Sequence, residues 1–154
     1  MDVSSLFSPA AVAARLRAGS KKHLLTSLAD IAARAYGIDA AQALAAVQER
    51  EKLGVTGVGN GIAIPHAKLP GLDRLIGIFV TLEQPVDYQS IDSAPVDIAC
   101  MLLAPTDAGA SHLQALALVS RMLRQHGLCE KLRGALNDDA LLAILLRGEQ
   151  PKAA

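Results

Sequence analysis

The chain has no tryptophan and only two phenylalanines and two tyrosines among 154 residues, although half of it is apolar. Its interior must therefore be aliphatic, assembled from Leu, Ile, Val and Ala. Cysteine is just as scarce. Cys100 and Cys129 form no C-x-x-C and show no metal-ligand spacing, so buried or incidental thiols are expected rather than a disulfide. An excess of either charge is missing as well: fifteen basic residues balance fifteen acidic ones, with no basic block. That balance excludes a nucleic-acid footprint and a basic membrane-binding surface. The longest apolar runs, residues 98–104 and 140–146, are far too short to span a bilayer, so no membrane insertion is expected. No basic segment followed by an apolar one opens the chain, so no signal peptide is indicated and a cytoplasmic protein is expected. Repeats, low-complexity tracts and linkers are absent too, and residues 1–154 read as one domain able to bury a sizeable core.

Several chemistries fall with missing motifs. No H-x-x-x-H pair or carboxylate cluster occurs, so no metal and no other cofactor is implied. A nucleotide-binding phosphate loop needs Gly-Lys-Ser/Thr, and a serine hydrolase needs G-x-S-x-G; neither is present.

What is present begins with helices. Ser20 is placed to cap one running to about Tyr36, with Leu24, Leu28, Ile31 and Ala35 on one face and Gly37 as its stop. Asp39 and Gln42 mark a second start, with Leu44 and Val47 as apolar positions and an end near Lys52, before Gly54. The period then changes. Residues 62–64, 75–82 and 96–103 read as strands, the last two bounded by Gly71, Pro85, Pro95 and Pro105. Ser111-His112-Leu113-Gln114 matches a capping box, which would make His112 the first residue of a helix through Leu116, Val119 and Leu123. A small helix is expected over residues 130–136, and Asn137 is placed to cap a last one over 138–147, before Gly148 and a short polar tail. Helices, then strands, then helices point to an α/β sandwich around a mixed sheet.

The most informative stretch runs from Arg50 to Lys68. Glycines at 54, 57, 59 and 61 permit close backbone approach to an anion. Their spacing is not the dinucleotide fingerprint, and taken alone it favours a tight turn between a helix and a strand. Ile62-Ala63-Ile64 reads as a short buried strand ended by Pro65, which stiffens the backbone just before His66. A neutral imidazole carries a free lone pair near pH 7 and can attack phosphorus without prior deprotonation. The resulting phosphoramidate is a good donor, because imidazole leaves readily once protonated. A structural histidine bonded at a strand end is the alternative, and for the residue in isolation it has the better claim. His112 at a helix start offers a hydrogen bond where free N–H groups favour an anion, or else simply faces solvent. Arg50 suits contact with phosphoryl oxygens, yet within Glu49-Arg50-Glu51-Lys52 it also fits a solvated helix face. Thr56 could offer a hydroxyl or serve as a turn residue. His23, in the first helix, and His126, in a loop before Gly127, read as surface residues.

From Arg50-Glu51-Lys52 through Thr56-Gly57-Val58-Gly59-Asn60-Gly61-Ile62-Ala63-Ile64-Pro65-His66, the chain resembles the phosphorylation-site motif of enzyme IIA proteins. These belong to the bacterial phosphoenolpyruvate:sugar phosphotransferase system, in its fructose/mannitol class; the nitrogen-regulatory branch is the most similar. The likeness extends to Pro95-Val96-Asp97 and the apolar run after it, to Ser111-His112-Leu113 and to residues 115–123. The resemblance implies a three-layer-type α/β sandwich, a mixed central sheet flanked by helices. It implies that His66 accepts a phosphoryl group through Nε2, with His112 and Arg50 lining the site. Thr56, Gly57, Gly59 and Asn60 would supply the loop around the phosphoryl oxygens. The implied donor is a histidine-containing phosphocarrier protein, itself charged by an enzyme I. Ile62, Ile64, Leu69 and Leu72 are candidates for an apolar docking rim. Two roles follow from the family: a regulator whose phosphorylation state changes its protein targets, or a sugar-specific component passing the group to a IIB domain. The chain length, with no fused IIB or membrane segment, and the nitrogen-regulatory likeness favour the regulator.

Overall fold

A computed structural model describes residues 2–148; the polar tail expected after Gly148 lies outside the described residues. A 3-10 turn at Val3–Ser5 leads into β1 (Phe7–Leu16), followed by α1 (Lys21–Tyr36) and α2 (Ala40–Leu53). Three short strands come next: β2 (Gly57–Gly59), β3 (Ile62–Ala63) and β4 (His66–Lys68). The long strands β5 (Ile76–Val86) and β6 (Val96–Ala104) precede α3 (Ala110–Leu123), α4 (His126–Gly134) and α5 (Asp138–Arg147). Among the described residues no helix is long and apolar enough to cross a membrane.

The helix starts follow their capping residues. Ser20, Asp39 and Asn137 accept backbone N–H bonds from His23, Gln42 and Ala140, satisfying donors the helices cannot satisfy internally. Gly37, at φ 71°, closes α1 in the left-handed region, where a Cβ would be strained.

The six strands form one mixed sheet in the order β1-β5-β6-β3-β2, with β4 pairing β6 beyond the end of β3. β1 is parallel to β5; β3 and β4 are parallel to β6, while β5–β6 and β2–β3 are antiparallel. Both faces are covered, which is why β5 and β6 read as unbroken apolar runs instead of alternating. Ala99, Met101 and Leu103 of β6 pack with Leu24, Leu28 and Val47 of α1 and α2. Ile98, Cys100 and Leu102 pack with Val119, Met122, Leu132 and Leu141 of the other three helices. This is the α/β sandwich expected. Both cysteines are free and buried.

Several elements depart from the sequence expectation, among them the short strands β2 and β4, which lie outside the three runs read as strands. The strand β1 was not foreseen: Phe-Ser-Pro-Ala-Ala-Val-Ala-Ala-Arg-Leu has weak β character and contains Pro9. It is tolerated because β1 is an edge strand, with a register irregularity between Phe7 and Val12. The strand β5 continues past Leu82 through Pro85 to Val86, and its pairing with β6 is irregular over that extension. The small helix lies at 126–134 rather than 130–136, so His126 opens a helix instead of lying in a loop. Ser111 is not an N-cap. The helix α3 starts two residues earlier, after Gly109 at φ 54°, and the Ser111 hydroxyl donates to Ala108 O at 2.9 Å.

Candidate functional site

Parallel pairing with β6 sets the position of His66. Ile62 and Ala63 lie opposite Ile98 and Ala99, the carbonyl of Pro65 accepts from Leu102 N at 3.0 Å, and His66 lies opposite Leu102. The buried run Ile62–Pro65 thus delivers a half-buried imidazole to the carboxyl end of β6, level with the start of the antiparallel β5. Its Nδ1 lies 2.8 Å from the carbonyl oxygen of Ile64. A carbonyl only accepts, so Nδ1 must carry the proton and Nε2 is left with the lone pair. Burial lowers the pKa of the ring. The Ile64 bond opposes that shift, the positive charge of Arg50 adds to it and the negative charge of Glu51 opposes it, with a net lowering. At neutral pH the ring is uncharged.

His112 stands beside it. The ring centroids are 5.7 Å apart with the planes at 73°. Because α3 begins at Ala110, His112 is its third residue rather than its first, still within the turn whose N–H groups lack intrahelical partners. It is 8% exposed, and its buried Nε2 finds no hydrogen-bond partner within the described protein. Burial, then the charges of His66 and Lys68, lower its pKa. Leaving a buried ring nitrogen without a protein partner costs on the order of 1–3 kcal/mol.

Arg50 comes from the last turn of α2. Its Nη1 donates to Gly54 O at 2.9 Å, satisfying a carbonyl just past the helix end, where a cation also favours the dipole. Its charge reaches His66, as the pKa lowering records. His66 and His112 are therefore neighbours, and Arg50 is near enough for its charge to act on His66.

The loop residues are arranged differently. The glycine-rich stretch is a β-hairpin, β2 against β3, turning at Asn60-Gly61 with φ of 58° and 80°. Positive φ at both central residues is what a tight hairpin turn requires. The Asn60 N–H donates to Asp92 Oδ2 at 3.0 Å, and Asn60 O accepts from Arg133 Nη2 at 2.8 Å. Gly59 and Asn60 thus occupy the Ile98 end of the β6 ladder, about 13 Å along the strand from His66 at four residues of ~3.3 Å each. Gly57 faces inward, where an added Cβ would lie 2.1 Å from Ser90 Oγ. Thr56 is buried, and its hydroxyl donates to Glu51 Oε2 at 2.5 Å.

Glu51 was read in the sequence only as part of a charge run, yet its side chain is 8% exposed and fully engaged. It accepts from the Thr56 hydroxyl and from Lys21 Nζ at 2.9 Å. Burial alone would raise its pKa; the Thr56 and Lys21 bonds, with the charge of Lys21, outweigh that and hold the carboxyl below its usual range. Tyr88 closes the group, its hydroxyl 3.1 Å from Thr56 Oγ1 and its ring under Lys21 Nζ at 4.3 Å. No local sequence signal marked this, because Lys21 and Tyr88 are remote from Glu51 along the chain.

The expected apolar rim is corrected. Ile62, Ile64 and Leu69 are 3–5% exposed and belong to the core, and Leu72 packs against it. The exposed large apolar side chains among the described residues are Leu53, Val58, Ile91, Leu113 and Leu136; of these Leu53, at 84%, adjoins Gly54 in sequence and Leu113, at 69%, adjoins His112.

A neutral imidazole with a free Nε2, a second buried imidazole and a guanidinium form a site suited to holding an anionic group covalently and passing it on. Comparison with known proteins agrees with that chemistry. Residues 5–148 match the family described as phosphoenolpyruvate-dependent sugar phosphotransferase system, EIIA 2, and the chain belongs to it. The nitrogen regulatory protein of Bradyrhizobium diazoefficiens is 42% identical over 145 residues, covering 94% of this chain and 95% of that protein. The nitrogen regulatory protein of Escherichia coli K12 is 38% identical over 146 residues, covering 94% and 90%. Among solved structures, the nitrogen regulatory protein IIA-Ntr from Neisseria meningitidis superposes with a TM-score of 0.86 at 29% identity, covering 93% of this chain and 98% of that one. The family implies a phosphoryl-transfer role.

Proposed function

We propose that this protein is a regulatory IIA component that takes a phosphoryl group on His66 Nε2 from a histidine-containing phosphocarrier protein and gives it back. The observation that carries the reading is the Nδ1 contact to Ile64 O, which leaves Nε2 as the lone-pair nitrogen beside His112 and Arg50. In the forward step the Nε2 lone pair forms an N–P bond as the donor imidazole's N–P bond breaks, its electron pair returning to that ring. Positioning and charge neutralisation dominate such transfers. Arg50 offers a cation to the phosphoryl oxygens, and His112 offers a neutral ring N–H. Leu53 and Leu113 would form the apolar rim on which the phosphocarrier docks. Residues 1–154 act as one domain in the cytoplasm.

The regulatory role rests on relatives at 42% and 38% identity that are named nitrogen regulatory proteins. Roughly two added negative charges on one surface ring suffice to change which protein partners bind. A IIB domain that drained the phosphoryl group and supported sugar uptake would argue for the transport role instead.

The test is intact-mass analysis after incubation with phosphoenolpyruvate, enzyme I and the phosphocarrier. One acid-labile phosphoryl adduct is expected on the wild-type chain and none on His66→Ala. An adduct persisting on that variant would place the acceptor elsewhere.

A further inference from the structure

The family reading assigns work to His66, His112 and Arg50, and leaves the buried group around Glu51 without a task. Its hydrogen bonds lead to the acceptor ring. Lys21 Nζ and the Thr56 hydroxyl donate to the Glu51 carboxylate, and the Thr56 N–H lies 3.4 Å from its Oε1. The carbonyl of the same Thr56 accepts from Ile64 N at 2.9 Å. The carbonyl of Ile64 then accepts the Nδ1–H of His66 at 2.8 Å. Glu51 is therefore joined to the His66 ring by three consecutive links, with one residue, Ile64, carrying both of the last two. The other end of the group is tied down as well. Lys21 comes from α1, and Tyr88, from the β5–β6 connection, holds Thr56 Oγ1 from behind.

We infer that Glu51 is a positioning residue for phosphoryl transfer: through Thr56 and Ile64 it holds the His66 ring with Nε2 presented. The inference rests on His66 being the acceptor. Adjacent residues on a helix point about 100° apart, so Arg50 and Glu51 approach the ring's surroundings from different sides of one helix end. Arg50 reaches Gly54 O, while Glu51 reaches Lys21 and Thr56. The charged and titratable groups around the ring are Arg50 and Glu51 of α2, His112 of α3 and Lys68 of β4, the last acting on His112; Lys21 and Tyr88 face Glu51.

The experiment uses the full chain and the variants Glu51→Gln, Thr56→Val and Thr56→Ser. Transfer from the phosphorylated phosphocarrier gives kcat and KM, and nitrogen-15 NMR of the histidine ring gives its tautomer and titration midpoint. For Glu51→Gln, kcat should fall by about tenfold to a hundredfold, the loss expected when a reacting group is held about an ångström out of place. KM for the phosphocarrier should stay within about twofold, since the docking rim is untouched. The His66 midpoint should also fall, because the carboxylate that favoured the charged ring has gone. Thr56→Val breaks the link but keeps the charge, so kcat should drop with the midpoint unmoved; Thr56→Ser should restore the rate. Wild-type kcat and midpoint in Glu51→Gln would overturn the inference, as would a Thr56→Val variant as fast as the wild type. If Glu51→Gln does not fold, the Thr56 pair decides by the same rates. A wild-type chain that takes up no label on His66 defeats the acceptor assignment itself, a different failure from labelled wild type with unaffected variants.

Discussion

Replacing His112 by Leu should separate function from stability. The imidazole is 8% exposed, its Nε2 is buried without a protein partner, and the first turn of α3 holds it against His66. An unsatisfied buried nitrogen costs about 1–3 kcal/mol, and a leucine of similar volume removes that cost. Imperfect fit of the branched side chain returns up to roughly 1 kcal/mol or more. The folded state should therefore be unchanged or gain about 1 kcal/mol, which at this chain length moves Tm upward by ~2–4 °C. Transfer should move the other way. A hydrogen bond to a charged group contributes about 1.5–3 kcal/mol, so its loss slows phosphorylation by ~10- to 150-fold. Differential scanning calorimetry and the transfer rate from phosphorylated phosphocarrier, measured on one preparation, read both quantities. A rate equal to wild type would show that the second imidazole does not contact the phosphoryl group. A Tm lowered by more than about 4 °C would show that its nitrogen is well satisfied in the folded protein, and the reasoning would fail.

Other perturbations follow from the same geometry. Arg50→Ala should slow phosphorylation at least tenfold and raise the His66 midpoint, since the guanidinium holds that pKa down; an unchanged rate would remove Arg50 from the site. Gly57→Ala would place a Cβ 2.1 Å from Ser90 Oγ and 2.9 Å from Ser90 Cβ, so it should destabilise by about 1–3 kcal/mol in denaturant titration. Adding Ser90→Gly should recover most of that loss, and simple additivity would contradict the packing explanation. Burial places both imidazoles below the usual histidine value near 6.5. On acidification the unfolded chain therefore takes up protons first, and stability is full above about pH 6.5 and declines as pH falls towards the folded values. Phosphorylation should stay level from pH 8 down through 6.5 and fall only below that. A Tm that rises on acidification from pH 7 to 5.5 would reverse the sign.

The parts of the fold that sequence made legible are those in which local chemistry decides. Ser20, Asp39 and Asn137 cap where the side-chain pattern places them, and the run 96–103 is long and apolar because helices cover the sheet on both faces. β1 was hidden because an alanine-rich segment with Pro9 becomes a strand only through its pairing with β5. The start of α3 misled for a related reason: the Ser-x-x-Gln pattern is present, but Gly109 turns the chain in two residues early. The turn expected in the glycine stretch is there, but it joins two strands, β2 and β3, at Asn60-Gly61 rather than a helix and a strand. At the site, His66 was conspicuous because proline and glycine punctuate the chain around it. Glu51 was not, because what gives it meaning arrives from Lys21 and Tyr88, remote in sequence.

The central claim concerns one nitrogen atom, and nitrogen-15 NMR of the phosphorylated, histidine-labelled protein addresses it. Because Nδ1 of His66 is bonded to the Ile64 carbonyl, phosphorus–nitrogen coupling should appear at Nε2 of His66, with the Nδ1 proton retained. Coupling at Nδ1, or on any residue other than His66, would contradict the account.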